Sequence, residues 1–282
     1  MEILDEGVAV ITGAGSGMGR CLAQKLAARG AALALADLND KGLEETVSLL
    51  GNAKAKVTRH IVNVAQEEQV KAFAEQVAGQ HGRASILFNN AGVAVLGSLE
   101  EISLQDFRWL MDINFWGVVY GVTYFLPMLK KEKRAHIVNI SSLLGLFGAS
   151  GQGAYCASKF AVRGYTESLH HELLGTTVGV TCVHPGFVRT GIAEHAKVGQ
   201  RASATLRQES LNRFQKVART DADTAAEKIL RGVEQGKARV LIGIDAYFVD
   251  IWQRLKPASY WNFIATQFDD PGSKRSGAGS NP

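Results

Sequence analysis

Seven short apolar, β-branched runs recur along this chain, at 8–12, 32–36, 57–62, 84–88, 136–140, 178–183 and 239–242. The stretches between them hold helical patterns, and that alternation constrains the fold more than any other feature. Segment 17–29 carries Leu22 and Leu26 on one face, and 66–80 carries Val70, Phe73, Ala74 and Val77. Segment 106–130 is long and apolar, and 155–174 carries Phe160, Tyr165 and Leu169. A helix between two strands packs back onto their sheet, so successive strands run parallel. Strands that are apolar throughout fit a sheet covered on both faces. The expectation is an α/β fold, a doubly wound parallel seven-stranded sheet with helices on both faces. No linker interrupts the pattern, so 1–244 reads as one domain, with a loop at 190–220 suited to a lid. An aromatic helical extension at 245–270 and a tail at 271–282, expected to be disordered, complete the chain.

Composition removes several classes. An apolar share of 46% and a net charge of +4 exclude a disordered chain. No basic block extends beyond 130–134, so no nucleic-acid partner is expected. Three cysteines, Cys21, Cys156 and Cys182, stand at no metal-like spacing and point to a reducing compartment. With no signal-peptide pattern in the opening residues, a cytoplasmic location is expected. Segment 113–129 approaches membrane-span length, but a β-type run follows it at once, so it reads as a buried central helix. His170-His171-Glu172 lacks zinc-site spacing, and no metal is expected. His184 reads as structural, His195 as solvated, and Cys156 as packing.

The first run leads into Thr12-Gly13-Ala14-Gly15-Ser16-Gly17-Met18-Gly19. This is out of register with G-x-G-x-x-G, yet it has the physics of a Rossmann-type dinucleotide turn. Glycines admit a pyrophosphate close to the backbone, and the helix starting near Gly17 aims free N–H groups and a positive dipole end at it. Asp37 closes the second run, where a carboxylate accepts from both ribose hydroxyls and repels a 2′-phosphate. The expected cofactor is therefore NAD. Asp40 is the better placed N-cap for the helix that follows. Tyr155 and Lys159, four residues apart, share a helix face after Ser141-Ser142, at the strand end where ligands bind in open α/β sheets. A neighbouring ammonium lowers a tyrosine pKa and suits it to proton transfer.

Together these residues resemble the short-chain dehydrogenase/reductase family, in its single-domain subgroup, over about residues 5–245. The resemblance rests on Thr12-Gly13-x-x-x-Gly17-x-Gly19, Asn89-Asn90-Ala91-Gly92, Asn114, Ser142, Tyr155-x-x-x-Lys159, and Pro185-Gly186 followed by Thr190. It implies that Tyr155 is the acid–base on the substrate oxygen and that Ser142 hydrogen-bonds that oxygen. Lys159 would hold the nicotinamide ribose and depress the Tyr155 pKa, and Asn114 would complete a proton relay through water. Asn90, Ala91 and Gly92 would line the cofactor groove, with Val188 and Thr190 at the carboxamide and Pro185 and Gly186 among the cofactor contacts. Ser16, Met18 and Leu38 would join the cofactor contacts. Asn63-Val64 stands where the family has Asp-Val beside adenine; the Asn63 carbonyl still accepts from the adenine amine. Strand order 3-2-1-4-5-6-7 is implied too, as is a homodimer or homotetramer.

The reaction so implied interconverts a secondary alcohol and its ketone by hydride transfer. Candidate pocket residues Val93, Val95, Leu96, Leu143, Leu144, Leu146, Phe147 and Ile192 are apolar, with Leu144, Phe147 and Ile192 the expected substrate contacts, and this favours a hydrophobic substrate. Two other readings compete, an NAD-binding regulator or scaffold and a membrane-associated reductase of lipid, retinoid or steroid type. In the extension, Tyr247, Phe248, Ile251, Trp252 and Leu255 fall on one stripe with Asp250, Gln253 and Arg254 opposite. The stripe is expected to be buried, capping the substrate pocket or bracing the 190–220 lid, in its own subunit or a partner's. Its few basic residues do not suit a membrane surface, so no membrane contact is expected.

Overall fold

The computed structural model describes residues 2–51, 55–203 and 205–262. Seven parallel strands form the central sheet: β1 Val8–Thr12, β2 Ala32–Asp37, β3 Val57–Ile61, β4 Ile86–Asn89, β5 Ala135–Ile140, β6 Val178–Pro185 and β7 Arg239–Ile242. Their order is β3-β2-β1-β4-β5-β6-β7, so the chain reverses direction across the sheet between β1 and β4. That reversal opens a crevice at the carboxyl ends of the strands, where ligands bind in such sheets.

Alternate residues of each strand feed two different cores. Ala9, Ile11 and Leu33 pack under α1 (Gly17–Ala28), α2 (Asp40–Ser48) and α8 (Ala222–Glu234). Val10 and Ala34 face α3 (Glu67–His81), α5 (Gly117–Leu129) and α6 (Gly153–Glu172). The long apolar segment is broken: α4 (Leu104–Met111) passes into a π-turn at Asp112–Trp116 before α5 begins. One face of α5 lies on the sheet through Val118, Val122, Phe125 and Leu129. Among the described residues no helix is long and apolar enough to cross a membrane.

Strand β6 runs two residues further than its apolar run. Pro185 lacks an N–H, and the next donor, the Gly186 N–H, reaches Ile242 O at 2.8 Å instead. Segment 190–220 is tied down at three places. Val188–Arg189 pairs with Thr220–Asp221 and closes its two ends, and Lys197–Val198 pairs with Val95–Leu96. Lys197 lies 3.8 Å from the Trp109 ring centre and 3.5 Å from an Asp106 oxygen. Between these ties lies α7 (Leu206–Val217), which buries no residue.

The extension departs from expectation. Helix α9 (Ile244–Leu255) buries Ala246, Val249 and Asp250, whereas Tyr247, Phe248, Ile251 and Leu255 are 51%, 45%, 56% and 68% exposed. Tyr247, Phe248, Ile251 and Leu255 of the stripe therefore face away from the chain's own core rather than being buried in it. The cause is long-range: Arg239 of β7 draws Asp250 inward, with Nη1–Oδ2 3.0 Å and Nη2–Oδ1 2.5 Å. The remaining aromatic positions of 245–270, from 263 onward, and the tail at 271–282 lie outside the described residues.

Candidate active site

The first loop of the site follows β1. Gly13 and Gly17 adopt φ of 66° and 51°, a left-handed conformation that a side chain disfavours. A Cβ on Gly13 would stand 2.8 Å from Ala91 Cα, and one on Gly19 would stand 2.1 Å from Gly13 O. The turn is closed by its neighbours. Thr12 Oγ1 accepts the Asn90 and Ala91 N–H groups at 3.0 and 3.1 Å, and Asn90 Nδ2 donates to Thr12 O and Gly13 O at 2.9 and 3.1 Å. Ser16 precedes α1 in extended conformation and makes no side-chain cap, while Met18 packs against the core. The first N–H groups of α1 therefore have no side-chain cap and can meet an anion.

Asp37 stands beside this turn. Its Oδ2 accepts the Gly15 N–H at 2.8 Å and its Oδ1 accepts the Asn39 N–H at 2.9 Å. The cap of α2 is Asn39, whose Oδ1 accepts the Gly42 N–H at 3.2 Å, and not Asp40, which lies inside the first turn. Asp37 sets the Asn39 backbone, and that places the Asn39 side chain over the helix end. Arg20, directly after the glycines, is a clamp on the turn. Its Nη2 donates to Gly15 O at 2.5 Å and to Glu45 at 2.8 Å, and its Nε donates to Thr46 Oγ1 at 3.1 Å. Arginine directly after the glycines was the available signal. Leu38 is 66% exposed next to Asp37. Asn63 Oδ1 accepts the Ala65 N–H at 3.1 Å, and Val64 lines a small crevice with Thr12, Ala91, Ile113 and Gly117.

At the other end of the crevice, the π-turn carries Asn114 into the interior. Its Oδ1 accepts the Val93 N–H at 2.8 Å, and its Nδ2 donates to Val93 O at 2.9 Å and Ser158 Oγ at 3.1 Å. Lys159, 3% exposed, donates from Nζ to Ile140 O at 3.0 Å and lies 5.6 Å from the Tyr155 ring centre. A Cβ on Gly92 would touch both groups, 3.3 Å from Asn114 Oδ1 and 3.4 Å from Lys159 Nζ. Ser142 caps the turn Leu143–Gly145, accepting the Leu144 N–H at 3.1 Å, and its side chain hydrogen-bonds Tyr155. Behind it, His184 Nδ1 lies 3.1 Å from Ser142 O; a carbonyl only accepts, so Nδ1 carries the proton.

One expectation is reversed. Burial pushes the Tyr155 phenol up to about 12, against the lowering effect of the Ser142 hydrogen bond, and brings Lys159 down to about 8. A poorly solvated site disfavours both charges, and the ammonium is engaged by Ile140 O rather than by the phenol.

Pro185 ends β6, Val188 is buried, and Thr190 meets the glycine turn: a Cβ on Gly17 would lie 3.3 Å from Thr190 Cγ2. Three separate loops thus converge on one crevice. Among the expected substrate contacts, Leu144 and Ile192 are partly buried. Phe147 is 1% exposed and packs with Leu143, Leu146, Ala246 and Val249, so it backs the pocket from inside the core. Among the described residues no group of three or more His, Cys, Asp or Glu can hold a metal ion. The uncapped helix start, the glycine-rich turn and the pinned Asp37 fit a dinucleotide.

A family profile described as short chain dehydrogenase matches residues 7–201. SadH of Mycobacterium tuberculosis, an oxidoreductase by its name, is 42% identical over 267 residues, 94% of this chain and 96% of that protein. The crystal structure of a short chain dehydrogenase/reductase from Burkholderia phymatum in complex with NAD superposes with a TM-score of 0.84 at 34% identity, covering 97% of this chain and all of the other. A short chain dehydrogenase from Mycobacterium paratuberculosis bound to NAD gives a TM-score of 0.73 at 26% identity, covering 85% and 97%.

Proposed function

The chain belongs to the short-chain dehydrogenase/reductase family and is an oxidoreductase, and from that premise we propose that it interconverts a hydrophobic secondary alcohol and its ketone with NAD, Tyr155 exchanging the proton. The observation that carries this reading is the convergence of Asn114, Ser142, Tyr155 and Lys159 on the crevice that begins at the glycine turn. Gly13, Gly17, Gly19, Asp37, Asn90 and the 185–190 segment would hold the cofactor, which supplies a hydride acceptor or donor when bound.

The remaining chemistry belongs to the chain. Tyr155 is held as the phenol, the form that donates a proton to a ketone oxygen, and Ser142 is placed to hydrogen-bond that oxygen. In the oxidation direction the phenolic proton must leave. A bound positive charge near Tyr155 would lower the cost of that step, as would a protonated Lys159, which is within about a unit of neutral pH. Asn114 is fixed by three hydrogen bonds beside Gly92 and Lys159, where it can hold a water for the relay. The regulator reading requires loss of one of these four groups, and all four are present. The apolar lining of Leu144 and Ile192 favours a hydrophobic substrate over a sugar. The exposed faces of α9 and of Trp116 and Phe160 support a homodimer or homotetramer, and three unpaired cysteines support a reducing, cytoplasmic setting.

The test is a screen of aliphatic, alicyclic and steroid alcohols with NAD, read by NADH absorbance, run beside Tyr155→Phe. The variant should bind NADH as the wild type does and lose at least about 100-fold in turnover. Turnover within about threefold of wild type would remove Tyr155 from the mechanism.

A further inference from the structure

Neither the glycine turn nor the proton relay accounts for Asp245. Strand β7 ends at Ile242, Gly243 turns the chain at φ 95°, and α9 starts at Ile244, so Asp245 lies in the first helical turn. Its Oδ2 accepts the Phe187 N–H at 2.7 Å, across 58 residues of sequence. Gly186 already uses Ile242 O, the last carbonyl of β7.

The fit around the carboxylate is close. A Cβ on Gly186 would stand 2.2–2.4 Å from its atoms, and a Cβ on Gly243 would stand 2.2 Å from Oδ1. The carboxylate fills the space that two side chains would need, which gives Gly186 a reason to be glycine apart from any ligand. Helix α9 also reaches the other wall of the site, because Ala246 and Val249 share a cluster with Leu143 and Leu146 of the turn that Ser142 caps. One helix thus braces both the Ser142 turn and the 185–190 segment.

We propose that Asp245 is a positioning residue that fixes the Gly186–Phe187 peptide and so preforms the 185–190 wall for the nicotinamide end of the cofactor. This rests on the dinucleotide reading above. Asp245 acts through the Phe187 N–H. A charged acceptor makes a stronger hydrogen bond than a neutral one, and a wall already ordered spares the ligand the cost of ordering it.

The experiment titrates the full chain with NADH and, separately, with ADP-ribose, which lacks the nicotinamide. Asp245→Ala should bind ADP-ribose within about twofold of wild type and NADH about tenfold more weakly. Asp245→Asn, which keeps an acceptor oxygen, should restore NADH to within about threefold. Gly186→Ala should give the same split by displacing the carboxylate, and adding Asp245→Ala to it should cost little more, since the two changes break one contact. Wild-type NADH affinity in Asp245→Ala overturns the proposal, as does an equal loss for both ligands, which would mark a merely structural role. Should Asp245→Ala not fold, Gly186→Ala decides by the same split. If wild type binds neither ligand, the dinucleotide reading fails and the proposal falls with it.

Discussion

Cofactor choice follows from how tightly Asp37 is held. Its two oxygens are fixed by the Gly15 and Asn39 N–H groups at 2.8 and 2.9 Å, so the carboxylate cannot swing away from a bulkier ribose. Two arginines of this region are already engaged. Arg20 serves Gly15 O and Glu45, and Arg59 lies 3.6 Å from Asp40 and 3.1 Å from Glu44. A 2′-phosphate, with a charge of about −1.5 to −2, would meet the fixed negative charge of Asp37. Two unit charges about 4 Å apart interact by about 1 kcal/mol in water and about 4 kcal/mol at an effective dielectric near 20. For this half-buried site the penalty comes to about 2–4 kcal/mol, or about 30- to 1,000-fold in kcat/KM. Asp37→Asn removes the charge and keeps one acceptor, so most of that preference should vanish, with NADH itself losing about tenfold. Initial rates with NADH and NADPH on one ketone, at low and high salt, measure it. The wild-type preference should narrow at high salt, because the repulsive part is screened. Wild-type kcat/KM values equal within about threefold, or an unchanged ratio in Asp37→Asn, would refute the argument.

Two further outcomes are expected. Gly92→Ala places a methyl 3.3 Å from Asn114 Oδ1 and 3.4 Å from Lys159 Nζ, both held in the interior; steady-state kinetics should show kcat down about tenfold at nearly unchanged Tm, and an unaltered kcat would mean that the relay tolerates displacement. His136 and His184 are buried and held down to about 4, against 6.5 in the unfolded chain. The unfolded chain therefore takes up protons first as pH falls, so this stability is complete above pH 6.5 and is lost between 6.5 and 4, at about 1.4 kcal/mol per histidine per pH unit. Urea unfolding at pH 7 and about pH 5.5 should differ by about 3 kcal/mol, and a flat profile would show that these histidines relax on protonation.

Local physics made much of this protein legible in one dimension. Apolar runs covered on both faces specify buried parallel strands; glycines at 13 and 17 specify a turn that side chains resist; a Tyr and a Lys four apart share a helix face in any context. Each of these follows from residues within a few positions of one another. What needed the tertiary structure depended on partners far along the chain. Asp250 looked like the polar side of α9 until Arg239 of β7 drew it inward and turned the aromatic stripe outward. The Tyr155 phenol is raised rather than lowered because burial, a property of the assembled fold, outweighs the Ser142 hydrogen bond. The π-turn that delivers Asn114 to Val93 and Ser158 lies inside what reads as one continuous helix. Asp245 carries no local signal at all, since its partner is 58 residues away and meets it only where β6 and β7 end side by side. Periodicity and propensity are short-range and can be read along the chain, whereas desolvation and the pairing of buried polar groups depend on which distant segments the packed sheet brings together.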